Sequence, residues 1–145
     1  MTIENFIAEV NANTGLKGEV CRRHVIKKYV PFLSKVLECE RIIKATMEID
    51  GTFRQNTPAR YLQFTMILIK YYTDLEIDDG RLILQYDQLN GAGLMEALHE
   101  VMPADEVKEF TTLLSMTADD YFVNSRSVAG YIDKMMTSLL PKEQE

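Results

Sequence analysis

Cysteine and histidine are the residue types here that offer a nucleophile, a general base or a soft metal ligand. The 145 residues contain two of each, Cys21, His24, Cys39 and His99. Cys21 and His24 share a face if they lie on a helix, as in a thiol with an adjacent base. The four residues together supply the ligand types of a tetrahedral zinc site but lack its paired short spacings. We therefore assign no catalytic residue, no metal and no cofactor, and we expect a non-enzymatic protein.

The acidic stretch 74–80 invites comparison with a calcium-binding loop. Such a loop needs glycine at its sixth position and glutamate at its twelfth, and these positions hold Asp79 and Gln85. Both requirements fail. We interpret Asp78 and Asp79 instead as caps for the helix that follows.

A second acidic pair, Asp119 and Asp120, falls within a predicted helix. Adjacent helical side chains diverge by about 100°, so these two carboxylates do not act together on one substrate. We assign them, with Asp78 and Asp79, to a candidate acidic contact surface.

Charge is distributed unevenly along the chain, whose net charge is −6. Residues 17–44 hold eight basic and three acidic side chains, a net charge of +5, and residues 74–145 hold five basic and fifteen acidic, a net charge of −10. The positive segment includes a cluster of four cations, Arg22, Arg23, Lys27 and Lys28.

Two arrangements are compatible with this division. If the segments lie on different faces, the basic end of one copy meets the acidic end of another and builds rings or filaments. Alternatively, the segments pack side by side in one monomer and neutralise each other.

The pI near 5.0 argues against direct nucleic-acid binding. The acidic half would suit binding to a basic groove on another protein.

Composition and periodicity predict how these residues are positioned. The chain is 46% hydrophobic and 26% charged, with 7 Gly and 4 Pro, as in one ordinary globular domain. Apolar residues recur at helical period almost throughout, so we predict a single all-α domain over residues 1–145, a compact bundle of about six to seven helices. With only two cysteines, we expect reduced thiols rather than a disulfide framework.

Capping signals suggest several helix boundaries. Thr2 is a candidate cap for the first helix, which Gly15 and Gly18 would end. Thr57 is a candidate cap ahead of Pro58 for a helix that is apolar on nearly all sides and therefore central.

Two further helices are predicted from their apolar stripes. One follows Pro31 and is closed by a turn at Asp50 and Gly51, with a stripe at Phe32, Val36, Cys39, Ile43 and Met47. The last is capped by Ser125 or Ser127, and its buried positions are Val128, Ile132, Met135, Met136 and Leu139.

Residues 25–30 depart from the helical pattern because they are rich in β-branched and aromatic types and precede Pro31. They form either a short strand or extended arm, or the end of a helix over about 19–29. The chain offers no evident partner strand, so an arm would pair with another molecule. Tyr29 and Phe32 are candidate aromatic anchors beside the cations, of a type common at binding hot spots, or else core residues.

No signal peptide opens the chain, and the longest apolar cluster, near residues 61–72, is too short to cross a bilayer. We expect a soluble intracellular protein with no membrane partner.

Four segments carry a resemblance to a known group: 28–32 (KYVPF), 56–62 (NTPARYL), 72–76 (YTDLE) and 86–94 (YDQLNGAGL). They resemble small helical proteins of tailed bacteriophages and prophages, and the similarity spans about Val25 to Asp120. The resemblance implies a phage context, near virion or assembly genes, and a location in the host bacterial cytoplasm or a virion. It transfers no binding residue to this chain.

Two functions are compatible with these features. The first is a phage structural or assembly protein, connector- or chaperone-like, that uses the basic arm to contact another copy or another virion protein. The second is a phage-encoded inhibitor that binds a bacterial defence protein through its acidic surface. In both, the partners are other protein chains.

Overall fold

The computed structural model describes residues 1–49 and 52–126, and these residues form an all-α fold, as predicted. Seven helices occur in this part of the chain: α1 (Ile3–Ala12), α2 (Lys17–His24), α3 (Phe32–Met47), α4 (Thr57–Tyr72), α5 (Leu82–Gly91), α6 (Leu94–Val101) and α7 (Ala104–Arg126). Two short strands, β1 (Glu48–Ile49) and β2 (Thr52–Phe53), pair antiparallel after α3. The turn expected at Asp50 and Gly51 lies outside the described residues.

The boundaries of α1 and α2 follow from one cap and one glycine. The hydroxyl of Thr2 accepts a hydrogen bond from the backbone N–H of Asn5 at 3.1 Å, which confirms the predicted cap. Gly15 has a φ of +83°, a conformation that side chains with a Cβ rarely adopt. Gly18 lies inside α2 and does not end α1, so that part of the prediction is wrong.

Helix α4 begins one residue earlier than a Thr57 cap would require. The side-chain oxygen of Asn56 accepts from the backbone N–H of Ala59 at 3.1 Å, and Thr57 is the first helical residue. The cap is therefore Asn56 and not Thr57. The helix packs against α3 and α5 and buries residues 65–69, as expected for a central element.

Most of the predicted stripe of α3 is buried. Cys39, Ile43 and Met47 are at most 1% exposed and Val36 is half-buried, but Phe32 is 56% exposed. Phe32 starts the helix, and the core does not extend over its side chain. Its assignment to the buried stripe was wrong.

Residues 25–31 are extended, and their partner is in the same chain. Helix α2 ends at His24, and Val25 forms an antiparallel bridge with Thr73. The N–H of Ile26 donates to the carbonyl of Tyr72 at 2.9 Å. The helix over 19–29 and the expected lack of an internal partner are therefore both wrong. Pro31 disfavours helical geometry at the residue before it.

The helices of opposite charge lie side by side. Helix α2 packs against α6, and α3 packs against α7, so elements from the positive segment contact elements from the negative one. Across the contact of α3 with α7, Lys35 pairs with Glu106 and Glu109. At the centre, Phe110 is fully buried, with its ring centroid 5.6 Å from that of Phe64 and 6.2 Å from that of Tyr71.

The residues assigned to the predicted last helix lie at the end of α7 and beyond it. Ser125 lies within α7 and is not a helix cap. The other candidate cap, Ser127, and the predicted stripe over 128–139 lie outside the described residues.

The identity of the α4 cap can be tested by substitution. We expect Asn56→Ala to lower the free energy of unfolding by about 1 kcal/mol, because the N–H of Ala59 loses its acceptor. Thr57→Ala is the matched control and should change it by less than about 0.5 kcal/mol. Urea unfolding followed by circular dichroism measures both, and a larger loss for Thr57→Ala would contradict the assignment.

Candidate functional site

All four cations of the predicted cluster are exposed at the end of α2 and on the extended segment. Arg23 contacts Glu9 on α1, with 3.4 Å between the guanidinium nitrogen and the carboxylate oxygen. Arg22, Lys27 and Lys28 form no ion pair with any described residue. The structure thus leaves three of the four cations available for a partner.

Large apolar side chains lie among these cations. Ile26, Tyr29 and Phe32 are each more than half exposed. Aromatic side chains beside basic ones are typical of protein interfaces. We use the name arm patch for the exposed residues Arg22, Arg23, Ile26, Lys27, Lys28, Tyr29 and Phe32.

The first end of the arm is fixed by backbone and side-chain bonds around His24. The N–H of Asp74 donates to the carbonyl of His24 at 3.1 Å, beside the bridge from Val25 to Thr73. The ring of His24 lies between two carboxylates, with Nδ1 2.9 Å from Asp74 and Nε2 2.8 Å from Glu9. These contacts join α1, α2 and the segment after α4.

The second end of the arm is bonded to α7. Val30 is 1% exposed, and its backbone N–H donates to a carboxylate oxygen of Glu106 at 2.7 Å. The ring of Tyr29 covers the ammonium of Lys35, whose Nζ is 5.4 Å from the ring centroid. The arm is therefore held at both ends while the side chains between them face solvent.

Lys35 is the charged residue on which this second attachment depends. Its side chain is 0% exposed, and Nζ donates to Glu106 at 2.9 Å and to Glu109 at 2.8 Å. Burial by itself would lower the pKa of Lys35, but the hydrogen bonds to Glu109 and Glu106 outweigh it and raise this pKa above its ordinary value. Lys35 stays a paired ammonium, unlike a catalytic amine.

Glu106 has three donors around its carboxylate. Burial would raise its pKa, but hydrogen bonds from Lys35, the N–H of Val30 and the hydroxyl of Tyr72 lower it below the ordinary value. Burial and the contact with Glu106 raise the pKa of Tyr72. Glu106 is therefore a partly buried anion that joins α3, α4, α7 and the arm.

Each of the residues considered for chemistry lies in a buried or hydrogen-bonded environment. Both ring nitrogens of His24 are within hydrogen-bond distance of carboxylates. Burial raises the pKa of Cys21 and raises that of Cys39 to about 12, so neither is a ready thiolate. His99 lies on a different helix, α6, where burial lowers its pKa. Both cysteines are unpaired thiols, as expected.

The candidate acidic residues occupy two places in the fold. Asp78 caps the 3-10 turn Asp79–Arg81 by accepting from the N–H of Gly80 at 2.9 Å, but α5 begins after this turn at Leu82 and has no side-chain cap. Asp79 lies in the turn and contacts Lys70 at 3.3 Å, so the prediction that these two residues cap α5 is wrong. Asp119 and Asp120 are exposed on α7, and the structure does not join them to the other pair through any hydrogen bond or ion pair of the described residues.

Metal-binding groups and membrane-spanning helices are two further kinds of feature that bear on function. Within residues 1–49 and 52–126, no group of three or more His, Cys, Asp or Glu is arranged to hold a metal ion. No helix there has the length and apolarity that crossing a bilayer demands.

Comparisons with protein-family models, curated proteins and solved structures found no match for this chain. The resemblance to phage proteins therefore stays a prediction.

Sequence reasoning missed the burial of Lys35 and the exposure of Leu33 and Leu37, which are 65% and 56% exposed on α3. The leucines were detectable because their spacing places them on the side of the helix away from the stripe of Cys39 and Ile43. Lys35 lies one turn before Cys39 on that stripe, but its ion-pair partners are more than 70 residues away in sequence.

The buried network predicts an acid-sensitive stability difference. We expect Glu106→Gln to lower the free energy of unfolding by about 3 kcal/mol at pH 7, because it leaves the Lys35 ammonium incompletely paired. Since folding lowers the pKa of Glu106, its stabilisation is present above the ordinary value of 4.5 and is lost as the pH falls through the lowered pKa. The difference in unfolding free energy between this variant and wild type should therefore be smaller at pH 3.

Urea unfolding at pH 7 and pH 3 measures this difference. Glu109→Gln is the matched control, and its cost should be under about 1 kcal/mol because that carboxylate is 49% exposed. Equal costs for the two variants would show that Glu106 has no special role.

The thiols provide a separate prediction. We expect Cys21 and Cys39 to react with a water-soluble disulfide reagent at pH 8 at least about 100-fold more slowly in the native protein than in urea, because both are buried and their pKa values are raised. Ile83→Cys, at a position 69% exposed, supplies a rapidly reacting control. Fast native labelling of either wild-type thiol would contradict this assignment.

Proposed function

We propose that this protein acts by binding another protein through the arm patch, as a connector- or chaperone-like component in the assembly of a phage particle. The observation that carries the proposal is the arm itself. Its backbone is fixed at both ends, and its exposed apolar side chains lie among cations that have no partner in the described residues.

The arm patch has the composition of a contact surface for an acidic protein. A partner would bury Ile26, Tyr29 and Phe32 while its carboxylates pair with Lys27 and Lys28. Buried aromatic anchors contribute most of the affinity in such interfaces, and surrounding charges mainly set orientation and association rate. Because the arm is already held in place, binding orders less of the chain.

A protein partner explains this surface better than nucleic acid or lipid does. Nucleic acid or an anionic membrane presents phosphates over an area larger than the patch, so it would also face the acidic remainder of a chain of net charge −6, whereas a protein partner can confine its carboxylates to the patch. The phage context rests on the resemblance of the segments 28–32, 56–62, 72–76 and 86–94.

The inhibitor is the second candidate function. Asp119 and Asp120 are adjacent, exposed and without an ion pair in the described part of the chain, so they present two free carboxylates on α7. On this alternative the partner is a basic defence protein of the bacterium, and the arm patch has no role in binding.

The arm variant Lys28→Glu with Phe32→Ser separates these alternatives. Tagged full-length protein is used to capture partners from phage-infected cells, and the captured protein is then purified and titrated against wild type and variants. We expect the arm variant to weaken binding about 100-fold, consistent with the loss of one aromatic anchor and one cation. Both replaced side chains are exposed, so thermal unfolding should change little.

The matched control on the acidic surface is Asp119→Lys, which should bind as wild type does. If this control loses a basic defence protein while the arm variant keeps it, the inhibitor is correct. Binding of the wild type to anionic lipid vesicles, lost in the arm variant, would instead assign the patch to a lipid surface and contradict the assembly proposal.

A further inference from the structure

Helices α3 and α7 form a second exposed surface, distinct from the arm patch. The two helices run in the same direction, since Lys35 contacts Glu106 and Glu109, and the thiol of Cys39 is 3.9 Å from the carbonyl of Phe110. Further along, residues 43–44 of α3 line the same groove as residues 117–121 of α7. The groove between them follows both helices towards their C-terminal ends.

This groove has an apolar floor and a charged rim. It encloses about 520 Å³ and is lined by Val36 and Ile43 from α3 and by Leu113 and Met116 from α7. The rim carries both signs of charge, with acidic Glu40 and Asp120 and basic Lys44.

An exposed apolar ridge lies beside the groove. Leu33 and Leu37 are one helical turn apart on α3 and are 65% and 56% exposed. On the other side of the groove, Met116 of the α7 lining is 55% exposed. No described residue covers these three side chains. Exposed apolar side chains grouped on one face of a folded domain mark an interaction site.

We infer that this α3–α7 face binds a second copy of the chain in a closed, two-fold symmetric dimer. A two-fold contact pairs one patch with itself, so the patch must be self-complementary. This face meets that condition, because it has a ridge beside a groove of similar apolar character. Its rim also carries acidic and basic side chains that pair with opposite charges across the contact.

The α3–α7 face differs from the surfaces that a head-to-tail contact would use. A chain of copies would pair the exposed cations of the arm patch with an acidic surface of the next copy, whereas the α3–α7 face is apolar and carries both signs of charge on its rim. The dimer therefore depends on apolar contact at the α3–α7 face, with charge setting its orientation. The inference rests on the proposed function only in that the protein works through protein contacts, and it leaves the arm patch free for the other partner.

The oligomeric state of the full chain tests this inference. Sedimentation equilibrium should give a dimer for wild type, and Leu37→Glu should weaken dimerisation at least about 30-fold, as expected for a charge placed in an apolar contact. Ile83→Glu is the matched control, because Ile83 is also exposed, at 69%, but lies on α5, and this variant should remain dimeric.

Thiol labelling of Met116→Cys identifies what covers the face. In a dimer the new thiol should be protected at high protein concentration and react on dilution, whereas Ile83→Cys reacts at every concentration. A monomeric protein in which the cysteine at position 116 reacts at every protein concentration would overturn the inference. So would a monomer in which it is always protected, because residues of the same chain would then cover the groove.

Two further results would also overturn it. One is a dimer that persists in Leu37→Glu, which would place the interface elsewhere. The other is self-association that grows beyond a dimer and is lost in 1 M salt, as a head-to-tail charge contact requires. The arm variant, Lys28→Glu with Phe32→Ser, keeps the two proposals separate: it should remain dimeric while losing the assembly partner.

Discussion

The fold around the arm depends on one buried ammonium and the carboxylates that neutralise it. A charge of this kind is costly to bury alone, so Lys35 requires Glu106 and Glu109 close to it. That requirement sets how α3 lies on α7. Glu106 also accepts bonds from Val30 and Tyr72, and the same carboxylate therefore positions the arm and the end of α4. A hydrophobic residue at position 35 would fill the space without specifying these contacts.

The helical elements could be predicted from the sequence because their causes are local. The apolar period of α3 and α4, the cap at Thr2 and the break before Pro31 depend on residues within a turn or two of each other. The error at Asn56 and Thr57 is also local, because neighbouring polar residues are both good caps and only the backbone path selects one.

The arm and its attachments could not be predicted in the same way. Val25 pairs with Thr73, and Lys35 pairs with Glu106, across 48 and 71 residues of sequence. Periodicity gives no information about such contacts. Among the candidate interface residues, the exposure of Arg22, Arg23, Lys27 and Lys28 agrees with the prediction, because exposed cations are the ordinary outcome for that residue type. The exposure of Tyr29 and Phe32 could not be predicted, because it depends on where the buried core ends in the folded chain.

The two surfaces differ in how the chain prepares them, and this bears on which partner each one suits. The arm patch is a short segment fixed at both ends, with mixed apolar and positive side chains, and it suits a partner of different composition and opposite charge. The α3–α7 face is built from two helices and has an apolar floor with both signs of charge on its rim. A closed dimer through that face would double the number of arm patches in one particle. Two linked patches bind a repeated partner more tightly than one, because the second contact forms at a high effective concentration. Dimerisation would thus strengthen attachment to a repeating structure without any change in the arm.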